Sequence, residues 1–304
     1  MLRAIFISLS ESKTLRAVAE RSALGRRLSS RFVAGMEVDD ALRAAAAVNL
    51  SGLTVSIDNL GENVTNPDEA KHSAALYHEL LDKIAAKGLR ANVSLKLTHM
   101  GLDVDESLAS TITRDLVDHA ASIGNFVRVD MEGSPYTEKT LALVRELHCE
   151  KRVGAVGAVI QSYLRRSEKD VQELCSEGIR IRLCKGAYKE PEAIAFQEKS
   201  EVDANYVRLM KILLTSGVYH GIATHDPKMI EATLAFAREK NIAADAFEFQ
   251  MLYGIRRDLQ QKLVRDGWRM RVYIPFGTEW YPYLMRRLAE RPANAFFILK
   301  NIFR

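Results

Sequence analysis

Eight short runs rich in β-branched residues recur along this 304-residue chain, each separated from the next by a longer stretch of different period. They read LTVSIDNLG, ANVSLKLTH, FVRVDMEGS, VGAVIQSYL, IRIRLCKGA, HGIATHDP, FEFQMLYG and RMRVYIPFG. Between them, segments such as EAKHSAALYHELLDKIAAKG, ESLASTITRDLVDHAASIG and DPKMIEATLAFAREKN place apolar residues at i, i+3, i+4 and i+7, the spacing of one helix face. Gly88 and Gly124 stand where helices should stop, and Asn66 followed by Pro67 where one should start. Strands that alternate with helices pair in parallel through crossover connections. Eight such units predict a distorted (β/α)8 or TIM barrel, whose usual length of about 250 residues leaves roughly 50 over for extra amino-terminal helices. The expected organisation is accessory helices over residues 1–50 and a barrel over 51–304, with no second domain.

Each run is mostly apolar and ends in reactive or hydrogen-bonding groups: Asp58, Lys96, Asp130 with Glu132, Gln161, Arg182 with Lys185, Thr224 with His225, Gln250, and Tyr273. In a barrel these ends converge on the C-terminal face, where such enzymes carry their active sites. Any one of them alone reads as a strand end reaching solvent; eight together point to a site.

The last helix-like segment, EWYPYLMRRLAE, puts Tyr283, Arg286, Arg287 and Glu290 on one side, because residues three and four apart are neighbours. Two adjacent guanidinium groups beside an aromatic ring suit a planar carboxylate, which Arg binds through paired hydrogen bonds. A small acid is therefore the first substrate class. The plainer alternative is a solvated pair of arginines with Glu290 in a surface ion pair worth roughly 0.3–0.5 kcal/mol.

Other classes are disfavoured. The formal charge is +4 and the basic residues are dispersed, unlike a nucleic-acid footprint. Cys149, Cys175 and Cys184 form neither a disulfide framework nor a zinc knuckle, which fits a reducing, cytoplasmic setting. No apolar run is long enough to span a bilayer, and the first residues lack the order of a secretory signal. They are basic, with Arg3, Lys13, Arg16, Arg21, Arg26, Arg27 and Arg31 against Glu11 and Glu20, and suit either a packed accessory helix or contact with a membrane surface. There is no GxGxxG fingerprint, no HExxH or HxH metal pattern and no GxSxG elbow, so no metal site is expected. Lys96 and Lys185 are placed for Schiff-base chemistry. Lys185, however, sits in RLCKGAY, where Gly186 and Ala187 suggest close backbone approach to a cofactor's phosphates or ring.

SLKLTHMG, RVDMEGS, VIQSYL, RLCKGAYKEP, ATHDP, FEFQMLYG and RVYIPFG, followed by YLMRRLAERPAN, resemble the proline dehydrogenase family of flavoenzymes in order and in strand position, from Leu53 to the C-terminus. The size resembles the single-function bacterial enzymes. The resemblance implies FAD bound without a dinucleotide fingerprint, oxidation of L-proline to Δ1-pyrroline-5-carboxylate, electrons passed to a membrane quinone, and a C-terminal helix folded over the substrate. It implies that Lys96, Arg286 and Arg287 hold the carboxylate, that Leu252, Tyr273 and Tyr283 pack the ring, and that Asp130 orients Lys96. For FAD it points to Gln161, Arg182, Cys184 through its backbone, Lys185, Gly186, Ala187, Tyr188, Thr224, His225, Gln250 and Glu290. Glu62 would form a gate with Arg286. Cys184 departs from the aliphatic residue usual before the lysine, and the span between Tyr273 and Tyr283 is two residues shorter than in the long bifunctional enzymes.

Overall fold

The computed structural model describes Ser22, Gly25 and residues 29–149 and 152–290; the side chains of Cys149 and of residues 286–290 are not among what it describes. The basic residues from Arg3 to Arg27 therefore lie outside the described residues.

The eight runs form the eight strands of a closed parallel barrel in sequence order: β1 (Thr54–Asn59), β2 (Ala91–Leu95), β3 (Val127–Val129), β4 (Val156–Gln161), β5 (Arg180–Cys184), β6 (His220–Ala223), β7 (Phe247–Leu252) and β8 (Met270–Phe276). β8 closes on β1 over six residue pairs, Thr54↔Arg271 to Asn59↔Phe276. The (β/α)8 fold expected from the alternating pattern is the one found.

Helix α1 (Val38–Leu50) precedes the barrel, and α2 (Pro67–Ala86), α3 (Glu106–Ser122), α4 (Ser134–Cys149), α5 (Ser167–Ser176), α6 (Lys199–Thr215), α7 (Pro227–Glu239), α8 (Arg257–Arg265) and α9 (Trp280–Glu290) follow the strands in turn. The Asn66 side chain accepts from the Asp68 and Glu69 amides and starts α2, with Pro67 supplying the first helical φ. Gly88 and Gly124 take positive φ just past the ends of α2 and α3, as their positions in the sequence required.

One displacement in this regular plan positions the site. Helix α1 packs across β1 and β8, covering the seam where the barrel closes. The helix after β8 joins a separate apolar cluster instead: Trp280, Tyr281, Tyr283 and Leu284 pack with Phe32, Val33 and Leu60. Leu60 follows the C-terminal end of β1, so α9 sits on the rim of the C-terminal mouth.

The greasy core lies between the barrel and its helices, where Val55, Ile57, Val93, Leu95, Val127 and Val129 are buried against residues such as Tyr77, Leu80, Leu116 and Val144. The barrel's interior is polar instead. Arg182 of β5 reaches Gln250 of β7, Asp130 just past β3 and Ser56 of β1, a layer drawn from the odd-numbered strands. Such long side chains need space on the strands between. A Cβ on Gly157 would lie 2.4 Å from the Arg180 carbonyl oxygen and 2.7 Å from Arg128 Nη1, and one on Gly221 would lie 2.3 Å from Gln250 Nε2. Glycine at these two even-strand positions makes room for the arginine and the glutamine.

Candidate active site

The C-terminal ends of β1 and β2 bring an acid and a base together. Parallel register sets Asp58 opposite Ser94, so Lys96, two residues on, is beside Asp58. Lys96 Nζ donates to Asp58 Oδ2 at 3.0 Å, and the lysine and aspartate side chains are only 13% and 1% exposed. Tyr77 of α2 adds a hydroxyl at 3.2 Å from Asp58 Oδ1. Burial works against the charge on Lys96, but Asp58, Asp130, Glu62 and Tyr188 outweigh it and raise its pKa above that of an ordinary lysine. An amine held protonated in this way is no Schiff-base nucleophile.

Asp130 has a different role from the one expected. Its Oδ1 accepts from Arg182 Nη1 at 2.6 Å and from Ser94 Oγ at 2.9 Å, and its Oδ2 accepts from Tyr273 OH at 2.8 Å. The expectation that Asp130 orients Lys96 is therefore corrected: Asp58 holds the ammonium, and Asp130 acts on it only through its charge. The reason is reach, since the Arg182 guanidinium crosses the barrel to claim Asp130 and leaves the shorter pairing at β1 and β2 to Lys96. Tyr273 is stacked under Arg182, whose guanidinium carbon is 5.1 Å from the ring centre. Burial and then Asp130 and Asp58 push the Tyr273 phenol well above its usual pKa, so it stays a donor.

On the opposite wall, Gln161 ends β4 with its Oε1 buried and without a hydrogen-bond partner. Lys185, just past β5, is held by Asp226 at 2.8 Å and Asp203 at 2.5 Å. Burial raises the pKa of both carboxyls, but Lys185, with Lys199 beside it, outweighs it and brings them below the usual range. Lys185 is thus clamped between two carboxylates. Gly186 is required by packing: at φ +104° its Cβ would lie 2.3 Å from the Tyr163 ring. The Cys184 carbonyl accepts from the Ser162 amide at 2.8 Å, tying the two loops together, and Ala187 and Tyr188 follow on the surface.

After β6, Thr224 Oγ1 accepts from the Asp226 amide at 3.0 Å. The Leu252 amide donates to His225 Nε2 at 2.9 Å, which makes Nε2 an acceptor and places the proton of the neutral ring on Nδ1. Leu252 is half-buried at the end of β7, and Gln250 is buried beneath it. Tyr283 is buried in the rim cluster on α9. Glu62, between β1 and α2, contributes its charge to the field at Lys96. The side chains of Arg286, Arg287 and Glu290 lie outside the described residues, so the structure locates only their helix. Among the described residues no group of three or more His, Cys, Asp or Glu could hold a metal ion.

The mouth thus gathers Asp58, Lys96, Asp130, Gln161, Arg182, Lys185, Thr224, His225, Gln250, Leu252 and Tyr273 from in or just past all eight strands. A family model described as proline dehydrogenase matches residues 41–300. The chain belongs to the proline dehydrogenase family. Proline dehydrogenase 1 of Bacillus subtilis (strain 168) is 43% identical over 305 residues, covering 100% of both chains. The proline dehydrogenase of Deinococcus radiodurans is 39% identical over 302 residues, covering 96% of this chain and 97% of the relative. Among solved structures, proline utilization A (PutA) from Bdellovibrio bacteriovorus, inactivated by N-propargylglycine, is similar with a TM-score of 0.84 at 26% identity. That match covers 95% of this chain and 36% of the PutA chain, so this chain spans about a third of that protein.

Within this proline dehydrogenase family member, sequence reasoning noted Asp58 as a strand end but gave it no role, and missed Ser56, Tyr77 and Ser94. The signal for Asp58 was available, since a buried lysine at the end of one strand calls for a carboxylate on a neighbour. Tyr77 had none: it reads as one more apolar position on α2, and only the packed helix brings its hydroxyl to Asp58.

Proposed function

We propose that this chain catalyses the first step of proline catabolism, the oxidation of L-proline to Δ1-pyrroline-5-carboxylate, with FAD as cofactor. Family membership supports an oxidoreductase acting on proline. The observation that carries the assignment to this mouth is the Lys96–Asp58 pair, a buried ammonium kept charged where a substrate carboxylate would need it.

The residues present suit FAD in one testable respect: the buried Gln161 Oε1 has no partner in the protein, and a cofactor donor would satisfy it. Gln161, Arg182, Lys185, Thr224, His225 and Gln250 would hold it, with Gly186, Ala187 and Tyr188 from the loop, the Cys184 backbone and Glu290 of α9. When bound, FAD supplies the two-electron acceptor for the substrate's C–N bond.

The chain's own part is binding, orientation and exclusion of water. Lys96, with Arg286 and Arg287 of α9, neutralises the carboxylate. Asp58 keeps Lys96 charged and aimed, and Asp130 anchors the Arg182 guanidinium beside Tyr273. Leu252, Tyr273 and Tyr283 pack the pyrrolidine ring. Glu62 pairs with Arg286 to close the rim, and α9 covers the bound substrate. No described side chain stands out as a base for the amine, so the amine gives its proton to water or binds already neutral. Electrons then pass to a membrane quinone, with the basic amino-terminal segment supplying transient contact with the membrane surface. Neutralising those arginines would abolish co-sedimentation with anionic vesicles; no binding by the parent protein at low salt would refute that contact.

The deciding experiment is an anaerobic visible spectrum before and after substrate. Yellow protein bleached by L-proline and not by D-proline is the expected result. Protein that stays colourless after reconstitution with FAD would overturn the assignment.

A further inference from the structure

The opposite, N-terminal mouth of the barrel carries an unusual accumulation of arginine. Two adjoining cavities of about 470 and 530 Å³ open there, sharing Thr54, Arg90, Arg180 and Arg271 in their walls. Arg269 lines the second, and the only carboxylate among the residues lining either is Glu248. That carboxylate is already engaged, accepting from Arg271 Nε at 2.6 Å, Gln250 Nε2 at 2.6 Å and Tyr219 OH at 3.0 Å.

The cations are held in place before any ligand arrives. Guanidinium groups and aromatic rings alternate in a ladder: Arg128 is 4.6 Å from the Phe126 ring centre and Arg180 is 5.4 Å from the same ring. Arg180 and Arg269 in turn lie 5.8 and 5.5 Å from the Tyr219 ring centre. Stacking fixes a guanidinium's plane while leaving its edge hydrogen-bond donors for an in-plane partner. Among the described residues neither Arg90, Arg128 nor Arg180 has a carboxylate partner, and Arg269 has only Asp245 at 3.6 Å. Arg128 is buried, its Nη1 donating to the Ala158 and Arg180 carbonyls at 2.9 and 2.6 Å. Cations concentrated in a concave, half-buried site with one spoken-for carboxylate create a positive potential that solvent screens only in part.

We propose that the N-terminal mouth is a binding site for a small multivalent oxyanion, distinct from the catalytic mouth at the other end of the barrel, with Arg180 as its central ligand and Arg90, Arg269 and Arg271 around it. Phosphoryl and carboxylate groups both present a pair of anionic oxygens that a guanidinium edge recognises through two parallel hydrogen bonds. The cavities accommodate a molecule bearing two or three such groups.

Isothermal titration of the full chain with pyrophosphate and, separately, with citrate tests this, each against potassium chloride at matched ionic strength. The expected result is saturable binding of at least one probe that weakens at least tenfold, about 1.4 kcal/mol, in Arg180→Gln. The exposed Arg269→Gln variant carries the same test if Arg180→Gln fails to fold. Preference for pyrophosphate would identify a phosphate ligand, and preference for citrate a polycarboxylate. Loss of affinity in these variants, with turnover of proline unchanged, separates this site from the cationic groups at the other mouth. No heat beyond the chloride control, or binding of unchanged strength in both variants, would overturn the proposal.

Discussion

The ammonium of Lys96 lies 3.0 Å from Asp58 Oδ2, with both side chains almost out of solvent. Two charges so placed are interdependent: removing one strands the other in a medium that penalises it by several kcal/mol. Asp58→Asn should therefore lower kcat/KM for proline by roughly 10- to 100-fold, mostly through KM, because it weakens the placement of the group proposed to meet the substrate carboxylate. Steady-state kinetics give the answer, and a change below threefold would detach Asp58 from substrate binding.

The Arg182–Asp130 pair invites a double-mutant cycle. Each single truncation, Arg182→Met or Asp130→Ala, should destabilise the fold by about 3–5 kcal/mol, since it leaves an unpaired charge in the barrel interior. The double variant should cost clearly less than the sum, because no stranded charge remains. Urea unfolding of the four proteins measures this; strict additivity would show that the pair is not coupled.

Arg286→Met and Arg287→Met should each remove about 2–5 kcal/mol of transition-state stabilisation if these side chains clamp the carboxylate. A loss of kcat/KM under tenfold in both would remove the clamp.

Gly221 and Gly157 make different demands. A methyl group at Gly221 meets the Gln250 side-chain amide, whereas one at Gly157 meets the Arg180 backbone carbonyl. Overpacking typically costs about 1–3 kcal/mol, and a backbone atom yields less than a side chain, so Gly157→Ala should be the more damaging. Adding Gln250→Ala should recover part of the stability lost in Gly221→Ala and none of that lost in Gly157→Ala. Thermal unfolding of these variants gives the comparison, and equal recovery in both would contradict the assignment of the clash.

Stability should also fall on mild acidification. Burial, then Arg128 and Arg180, lower the pKa of His220 from the ordinary 6.5 to about 3, and burial with Lys96 lowers that of His99 to about 4. Both are neutral in the folded protein at pH 5, while the unfolded chain takes up protons below about 6.5. The stabilisation they represent is complete above that pH and is lost as pH falls toward the folded values, by roughly 2 kcal/mol per histidine between pH 8 and 5. His220→Asn offers an acceptor to the Ile181 amide and a donor to Ser216, replacing the His220 bonds at 3.0 and 2.9 Å while giving up the 3.7 Å contact with Cys175 Sγ, without the titration. Its urea midpoint should depend on pH less steeply than the parent's, and an unchanged slope would exclude His220 as a source.

The barrel was legible because each strand is buried against helices on its outer face and announces itself as an apolar run, with Gly88, Gly124 and the Asn66–Pro67 pair marking helix limits. The composition of the mouth was legible too, since strand ends in this fold point one way. What sequence could not supply was pairing inside the barrel. Lys96 is level with two carboxylates, Asp58 and Asp130, and only the reach of Arg182 across the interior decides which one it keeps. The Tyr163 ring from the preceding loop, which gives Gly186 a packing reason to be glycine, had no signal in the sequence either.

From Arg271 at one mouth, through Glu248, Gln250, Arg182 and Asp130, to Tyr273 at the other, each of these side chains leans on the next. Such a column has no spare member. Descendants of this protein can therefore drift one residue at a time along the outer helices, but inside the barrel a lineage must exchange residues in matched sets or keep the set it inherited.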